Sequence, residues 1–368
     1  MNSRGRIAIL LTNDFTQDVR VYKEARYFIQ RGFEVDMFCW QRDLGKCLPE
    51  FESRDGIKVR RIRAQASAGT GWHQIGAFCK YIKACKDYLK EETYDYVHCN
   101  DIDGAIAGYL ACGKNERKVF DMHEVYESGG IIKRWAWRKL TIFLLKKSIA
   151  GLYENEFYLS NKYSAVRDKL YRLKNYPSRE YLKAEVKTES DYLRVGYHGT
   201  VRNQICYFKA LFEAVKDLDD VRVVINGGGT DYLALKRLEK QYNNVFVNGQ
   251  YDGIRDSNWL YANTDILFCG YDGNSLNYNG DAEVVKFYEA IVTGTPMIMT
   301  KGTGMAQKVV NNGYGVVCDV ASIEDIRRAV LGFKQNKAFW NECAENELRD
   351  ANQYFWEKEI LVLDNIYL

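Results

Sequence analysis

The sequence predicts an α/β protein with parallel sheets, divided into two domains. The clearest sign is residues 265–300, where an apolar strand-like run, a polar loop, a helical pattern and a second apolar run follow in order. That order is typical of one unit of a parallel sheet. Short apolar runs alternate with helical patterns along the remaining chain, and 368 residues suffice for two domains of ordinary size.

The first half of the chain contains five segments with the length and composition of buried strands. They are residues 6–11, 33–39, 57–62, 94–98 and 118–120. Helical patterns occupy residues 18–30, 72–89 and 131–149. In the last of these helices, basic residues interrupt the apolar arc, so we expect a packed helix whose lysines reach outward. Contact of this helix with a membrane surface is the alternative.

The second half repeats the same alternation. Its predicted strands are residues 193–197, 221–225, 245–247, 266–269 and 297–299. We predict an N-terminal domain at residues 1–178, a polar linker at 179–190 and a C-terminal domain at 191–352. Residues 353–368 are predicted to form a helix that packs back on the N-terminal domain.

Charge is distributed unevenly between the two halves. Residues 1–178 carry a net charge of +9, whereas the remaining residues carry −6. A basic N-terminal half predicts an anionic partner on that side, either a phospholipid surface or a diphosphate-bearing acceptor. No nucleic-acid-binding motif accompanies the basic residues, so we expect no nucleic-acid partner.

Residue usage also bears on compartment and cofactors. Ten cysteines are scattered without a CxxC pair, which is typical of reduced thiols in the cytoplasm, and four histidines are too few for a histidine-rich metal site. The apolar run 7–11 is too short for a signal peptide, and no run approaches the length of a bilayer. We therefore expect a cytoplasmic protein without a metal cofactor, with peripheral contact at the inner face of the membrane as a further hypothesis.

Two acidic candidates lie eight positions apart in residues 265–300: Asp281 before the helix and Glu289 within it. Ligands of parallel sheets collect at the carboxyl ends of the strands, which is where this loop and helix start are expected. Carboxylates accept hydrogen bonds from ribose and sugar hydroxyls, and the free N–H groups at a helix start suit a diphosphate. The alternative is an ordinary solvated helix with an acid near its N-terminus.

This stretch resembles the signature of the family 4 glycosyltransferases, in which an acid precedes a glutamate by eight positions and a Gly-x-Pro turn follows. Residues 286–289 and 294–296 match one common variant of it. The resemblance implies two facing Rossmann-like domains of GT-B architecture with the active site in the interdomain cleft. It also implies that Glu289 binds the nucleotide ribose and Asp281 the donor sugar. Because the usual Glu-Gly pair is Asp281-Ala282 here, Glu283 is a substitute candidate for the sugar contact.

Five further donor-side positions rest on the same resemblance. The turn at Gly199 and Thr200, followed by Arg202, is similar to the family's diphosphate clamp, and residues 227–228 (Gly227 and Gly228) resemble its loop near the nucleotide base. The lysine that the family places soon after the arginine is missing. Lys286 is therefore our candidate for the second cation of the clamp.

In the N-terminal half, His123 within Asp-Met-His-Glu resembles the family histidine that contacts the donor sugar. The loop after the first strand lacks GxGxxG, which argues against a dinucleotide-dependent dehydrogenase. Candidate acceptor-side residues follow the strands of this half. They are Asn13, Asp14, Asp18, Asp101 and Glu124. Asp101 and Asp103 form a DxD sequence, which we interpret as capping of the following helix rather than as a metal site.

The resulting prediction is a metal-independent, retaining glycosyltransferase that moves a hexosyl or related group from a nucleotide sugar to a hydroxyl of a sugar or lipid-linked acceptor. Bacterial-type polysaccharide or glycoconjugate assembly is the predicted setting. His123, Arg202 and Asp281 are the predicted catalytic residues. Two alternatives stay open: a catalytically silent homologue that binds nucleotide sugar as a partner subunit, and a nucleotide-sugar epimerase on the same architecture.

Overall fold

A computed structural model describes residues 4–66, 71–113, 116–127, 129–272 and 283–368, without the side chains of 71 and 72. The chain forms two compact units. Unit 1 comprises Met1–Lys174 together with Glu359–Leu368, and unit 2 comprises Asn175–Lys358. Residues 359–368 therefore belong to unit 1, although all of unit 2 precedes them in the sequence.

Unit 1 is built on an eight-stranded sheet. Its strands are β1 (Gly5–Leu11), β2 (Phe33–Gln41), β3 (Phe51–Arg54), β4 (Ile57–Arg63), β5 (Tyr96–Asn100), β6 (Arg117–Met122), β7 (Ala150–Tyr153) and β8 (Leu170–Arg172). Their order in the sheet is β3-β4-β2-β1-β5-β6-β7-β8, and every pair is parallel except β3 with β4. The strand order reverses between β1 and β5, so loops that leave these strands border a crevice typical of ligand sites.

Four helices of unit 1 come before unit 2 in the sequence. They are α1 (Val19–Gln30), α2 (Ile75–Glu91), α3 (Asp101–Ala111) and α4 (Ile131–Lys147). Helix α3 lies close to the sheet because it has glycines on the packed side. A Cβ at Gly104 would lie 3.1 Å from the carbonyl oxygen of Leu10, and a Cβ at Gly108 would lie 2.4 Å from Cys99 Sγ. This close packing fixes the start of α3, where Asp101 lies.

Unit 2 contains a six-stranded, wholly parallel sheet. Its strands are β9 (Leu193–His198), β10 (Val221–Asn226), β11 (Val245–Gly249), β12 (Ile266–Cys269), β13 (Met297–Thr300) and β14 (Gly315–Cys318). They lie in the order β11-β10-β9-β12-β13-β14. The reversal between β9 and β12 brings the loop after β9 and the segment after β12 to one edge of the sheet.

The remaining helices follow in the sequence, and all but the last of them begin in unit 2. They are α5 (Ile205–Val215), α6 (Tyr232–Leu238), α7 (Ser257–Ala262), α8 (Val285–Thr293), α9 (Gly304–Asn312), α10 (Ile323–Gln335), α11 (Lys337–Asp350), α12 (Trp356–Glu359) and α13 (Asp364–Tyr367). Helix α8 ends at Gly294, which adopts the left-handed conformation with φ 59° and ψ 50°. The N–H of Thr295 donates to the carbonyl of Ala290 at 3.0 Å. Gly294 thus forms the left-handed cap of α8.

Helix α4 differs from the packed helix that the sequence predicts. Its first six residues are exposed, with exposed fractions of 86% at Ile131 and 84% at Ile132, and only Thr141, Leu144 and Leu145 are buried. The helix ends at Lys147, two residues before the predicted end, and Ala150–Tyr153 directly afterwards forms a buried strand that was not predicted. Packing of α4 against the core thus begins at Trp137, after the six exposed residues. Within the described residues, no helix is both long and apolar enough to span a membrane.

Candidate functional site

In unit 2, the loops that follow β9 and β10 lie against each other. The N–H of Gly199 donates to the carbonyl of Asn226 at 2.9 Å. Gly199 has φ +137°, and a Cβ on it would lie 2.8 Å from Lys286 Nζ, whereas a Cβ at Gly227 would lie 1.7 Å from the Gly199 carbonyl oxygen. Both glycines are required by close packing around this turn. Their presence therefore has a structural reason in addition to any approach of a ligand.

Two polar side chains follow the Gly199 turn. Thr200 and Arg202 are both exposed, and Arg202 has no hydrogen-bond or ion-pair partner among the described residues. The turn itself is held by the backbone, because the N–H of Val201 donates to the carbonyl of Gly228 at 2.9 Å. A rigid turn thus carries a guanidinium group that is available to an anion.

Lys286 lies in the first turn of α8 and points at the same loop. Its side chain is buried, and its ammonium nitrogen lies 3.4 Å from the ring centroid of Tyr197 and 5.7 Å from that of Tyr271. Among the described residues no carboxylate lies within ion-pair distance of this ammonium. Burial lowers the pKa of Lys286 to about 7, although Cys269 and Glu289 act in the opposite direction. The cation beside the turn is held by aromatic rings rather than by a counter-ion.

His198, at the end of β9, is a supporting residue that the sequence did not single out. It is buried, its Nε2 lies 2.9 Å from Thr264 Oγ1, and its Nδ1 lies 3.1 Å from the amide nitrogen of Asn226. Burial and the charges of Lys286 and Lys187 lower the pKa of His198 to about 3. A neutral ring therefore accepts from Asn226, donates to Thr264 and holds the two loops together.

Glu289 lies about one turn from the start of α8 and is buried within a group of tyrosines. The Tyr261 hydroxyl donates to its Oε2 at 2.9 Å. The pKa values of Tyr181, Tyr251 and Tyr261 are all raised, mainly by burial and in addition by the charge of Glu289. A carboxylate lined by hydroxyl groups has the hydrogen-bonding chemistry that a ribose diol requires. These three tyrosines come from separate segments of unit 2 and were not predicted.

The two other acidic candidates of this stretch have different outcomes. Asp281 lies outside the described residues. The carboxylate of Glu283 forms an ion pair with Lys308 and a hydrogen bond with the Tyr288 hydroxyl, and its side chain is buried. Glu283 is therefore engaged with neighbouring side chains of unit 2.

In unit 1, His123 lies directly after β6 between two carboxylates. Its Nε2 lies 2.8 Å from Asp121 Oδ2 and its Nδ1 lies 3.5 Å from Asp101 Oδ2. Although burial acts in the opposite direction, Asp101 and Asp121 raise the pKa of His123 to about 10. The ring is therefore an imidazolium at neutral pH. Its Nδ1–H group makes the longer of the two contacts, with Asp101, and is the group that can donate to a substrate oxygen.

Asp121 is held in turn by Arg20 of α1. The guanidinium donates from Nε at 3.0 Å and from Nη2 at 2.7 Å to the two carboxylate oxygens. Both side chains are buried, and Arg20 and His123 together hold the pKa of Asp121 well below its usual value against the effect of burial. The sequence prediction omitted both residues, because nothing in the local pattern links positions 101 apart.

The acceptor-side candidates near β1 form a compact loop. The amide of Asn13 donates to Asp18 at 2.8 Å, and the carboxylate of Asp18 accepts from the N–H of Val21 as the cap of α1. Asp14 pairs with Lys46 at 2.7 Å. Burial would raise the pKa of Asp14, but Lys46 and Thr16 lower it overall. These side chains are occupied in holding the loop.

Asp101 does not cap α3, which corrects the interpretation of the DxD sequence. The cap position is Asn100, which makes no side-chain cap hydrogen bond, and Asp101 has an unusual φ of +59°. Its carboxylate instead accepts from the Tyr126 hydroxyl at 2.9 Å and faces His123. Glu124 is exposed beside them. Asp101 therefore belongs to the surroundings of His123.

One group of side chains has the composition of a cation site. The ligand atoms of Glu24, His98 and Asp121 lie within 4.8 Å of one another, and all three residues are buried. However, the guanidinium of Arg20 already contacts both carboxylates, at 3.2 Å for Glu24. Positive charge is thus supplied by the protein itself, and this cluster does not fit the requirements of a metal ion.

Two family profiles match the chain. One, described as "Glycosyl transferases group 1", matches residues 180–350, and the other, "Glycosyltransferase Family 4", matches residues 17–151. No curated protein sequence matches the chain. The two profiles together account for most of the chain.

Solved structures with similar folds cover nearly the whole chain. Sucrose-phosphate synthase from Thermosynechococcus elongatus is 16% identical, with a TM-score of 0.77 and coverage of 99% of this chain and 98% of that one. A glycosyltransferase from Rickettsia africae is 15% identical, with a TM-score of 0.69 and coverage of 99% and 98%. Anabaena HepE in complex with UDP and glucose is 15% identical, with a TM-score of 0.67 and coverage of 98% of both chains.

These similarities confirm the predicted fold class of two Rossmann-like α/β domains. Both profiles belong to the same group of enzymes, and each falls within one half of the sequence. The protein therefore has the GT-B fold and belongs to the family 4 glycosyltransferases.

Proposed function

We propose that the protein is a retaining glycosyltransferase that uses a nucleoside diphosphate sugar and passes its sugar to an acceptor hydroxyl. The observation that carries this proposal is the pairing of two features on α8. Lys286 holds a cation at the Gly199 turn, and Glu289 presents a carboxylate among hydroxyl groups three residues later. A diphosphate and a ribose are adjacent groups in a nucleotide, so the two features suit one ligand.

The donor side of the proposal assigns a role to each group. Arg202 and Lys286 neutralise the charge that develops on the departing diphosphate, with backbone N–H groups at the start of α8 as additional donors. Glu289 accepts hydrogen bonds from the ribose hydroxyls. Relatives of the same fold have been solved with UDP or with UDP-glucose, which supports a uridine nucleotide as the first donor to try.

His123 is proposed to donate a hydrogen bond to the donor sugar through Nδ1–H. Because its pKa is raised to about 10, the ring stays charged and acts as a donor rather than as a general base. The acceptor proton is then proposed to leave with the departing phosphate on the same face of the sugar, which retains the anomeric configuration. Asp281 is proposed to hold the donor sugar, and no metal has a role in these steps.

The acceptor side is proposed to work at an anionic membrane with a lipid-linked substrate, as in polysaccharide or glycoconjugate assembly in the cytoplasm. The start of α4 supports this idea. Ile131, Ile132 and Trp135 are exposed to 86%, 84% and 57%, and Lys133 and Arg134 lie between them. Exposed apolar side chains beside cations suit the interface of an anionic bilayer.

A donor screen tests the proposed function. Thermal shifts with UDP-, GDP-, dTDP- and CMP-sugars identify the donor, and release of nucleoside diphosphate then measures turnover. NMR of the product reports the anomeric configuration. A protein that binds the donor but releases no diphosphate, with or without acceptor, would instead be a silent homologue, which the Asp281-Ala282 pair keeps as the second candidate. Conversion of the donor to its epimer would identify an epimerase.

A further inference from the structure

Segment 359–368 inserts a tyrosine into the interior of unit 1. Asp364 anchors the segment, since it accepts from Tyr27 at 2.6 Å and pairs with Arg31 at 2.5 Å. The Tyr367 side chain is buried, with its ring centroid 4.6 Å from that of Phe28 and 4.8 Å from that of Tyr96. Such packing fixes the direction of its hydroxyl group.

The Tyr367 hydroxyl lies 2.6 Å from His98 Nδ1. The other ring nitrogen, Nε2, lies 3.0 Å from Glu24 Oε2, and His98 has no exposed surface. An ionised carboxylate can only accept, so Nε2 donates to Glu24, and the Tyr367 hydroxyl is the partner of the opposite ring nitrogen. Tyr367 and Glu24 thus hold the His98 ring from its two sides.

From Glu24 the contacts continue to His123, first through an ion pair with Arg20 and then through hydrogen bonds. Glu24 Oε1 lies 3.2 Å from Arg20 Nε, Arg20 donates to both oxygens of Asp121, and Asp121 Oδ2 lies 2.8 Å from His123 Nε2. Glu24, Arg20 and Asp121 are all buried. Displacement of one member in such a network must be taken up by its neighbours, because water cannot replace a lost partner there.

We propose that Tyr367 is a positioning residue, which fixes the orientation of His123 through His98, Glu24, Arg20 and Asp121. The role of His123 rests on the proposed function, whereas the coupling between positions 367 and 123 does not. The hydroxyl orients His98, His98 fixes the Glu24 carboxylate, and Glu24 shares Arg20 with Asp121. The angle at which Asp121 holds the His123 ring then depends on all of them.

The test compares Tyr367→Phe with Tyr96→Phe. Both changes remove one buried hydroxyl from the same aromatic cluster and keep the ring, but Tyr96 donates only to the backbone oxygen of Tyr367, at 3.3 Å, and does not reach His98. The chain has four histidines, so nitrogen-15 labelling of histidine gives few signals. We expect the signals of His98 and His123 to shift in Tyr367→Phe and to stay in place in Tyr96→Phe.

Turnover provides the second readout. We expect Tyr367→Phe to lower kcat by about 3- to 10-fold, the effect of one lost hydrogen bond, with an unchanged Kd for the free nucleotide, which does not contact His123. Unchanged His123 signals in Tyr367→Phe would overturn the coupling. If Tyr367→Phe does not fold, His98→Gln can be used instead, because it interrupts the same series of contacts. His123 signals at their wild-type positions in His98→Gln would also overturn the coupling. The NMR measurement stands even if the wild type transfers no sugar, so failure of the proposed function is recognised separately.

Discussion

Nucleotide binding should take up a proton at Lys286. The ammonium is buried over Tyr197 and its pKa is lowered to about 7, so the side chain is about half neutral at pH 7 and about nine-tenths neutral at pH 8. A diphosphate bound at the Gly199 turn brings negative charge next to this nitrogen, which favours the charged form. We therefore expect binding of UDP at pH 8 to be accompanied by uptake of close to one proton.

The sign of the pH dependence follows from this coupling. Because the protonated form binds the diphosphate, affinity is greatest below pH 7 and decreases by about tenfold per unit as the pH rises above 7, until the pKa of the complex is reached. Other titratable or charged groups around Lys286 are His198, Cys269 and Glu289. His198 is already neutral in this range, and the pKa of Cys269 is raised to about 12 by burial, so neither gives the same slope.

Calorimetry in phosphate and Tris buffers, which differ in ionisation enthalpy, measures the proton uptake directly. At pH 7.5 and above the terminal phosphate of UDP, with a pKa of about 6, is already ionised and contributes little. Lys286→Met should bind UDP weakly and without proton uptake, while uridine, which lacks phosphates, should bind both proteins alike. Equal heats in the two buffers for the wild type at pH 8, with UDP bound, would refute the reasoning.

Four further predictions test the other parts of the proposed function. Glu289→Gln should weaken UDP and the UDP-sugar alike by about 10- to 100-fold in calorimetry, because the contact is to ribose; wild-type affinity for UDP would remove the ribose assignment. Asp281→Asn should instead weaken only the sugar nucleotide, and loss of UDP affinity in this variant would contradict its sugar role. Arg202→Ala should lower kcat by about 100-fold with an unchanged melting temperature, since an exposed side chain contributes little to folding but acts on developing charge; a change within a few-fold would show that the clamp lies elsewhere. Ile132→Ser combined with Trp135→Ser should reduce sedimentation with anionic liposomes, and high salt should release the wild type from them. Equal binding of the wild type to neutral liposomes would exclude the membrane proposal.

Much of the fold could be predicted because local patterns determine it. The strand at residues 266–269 was predicted with its observed bounds, and the helical pattern predicted after it corresponds to α8. Strands β7 and β8 were missed, since four and three residues are too few for a periodic signal and the preceding helix pattern runs into β7. The exposed start of α4 was also missed, because a helical pattern does not reveal which half of a helix has a neighbour.

The candidate site residues could likewise be predicted from local motifs, whereas their contacts could not. Lys286 could be named from its place in the motif, but its contact with Tyr197 joins residues far apart in the sequence. Asp101 was assigned to a helix cap because the sequence places it before a helix, yet Tyr126 and His123 compete for its carboxylate. Partners such as Arg20 and His98 come together only through the sheet and the helix that packs on it. Charge networks of this kind depend on the tertiary structure, so the distances between their members cannot be predicted from a single sequence.

The position of segment 359–368 has a consequence for biosynthesis. Tyr367 fills a space between Phe28 and Tyr96, and Asp364 bonds to residues of α1, so the interior of unit 1 includes residues translated after unit 2. Domains generally fold as they leave the ribosome, starting with the N-terminal one. While the 184 intervening residues, 175–358, are made, the nascent first unit has an unfilled aromatic gap and lacks the hydroxyl that contacts His98 Nδ1. A ribosome that stalls within unit 2 therefore leaves an incomplete first unit exposed to chaperones and proteases.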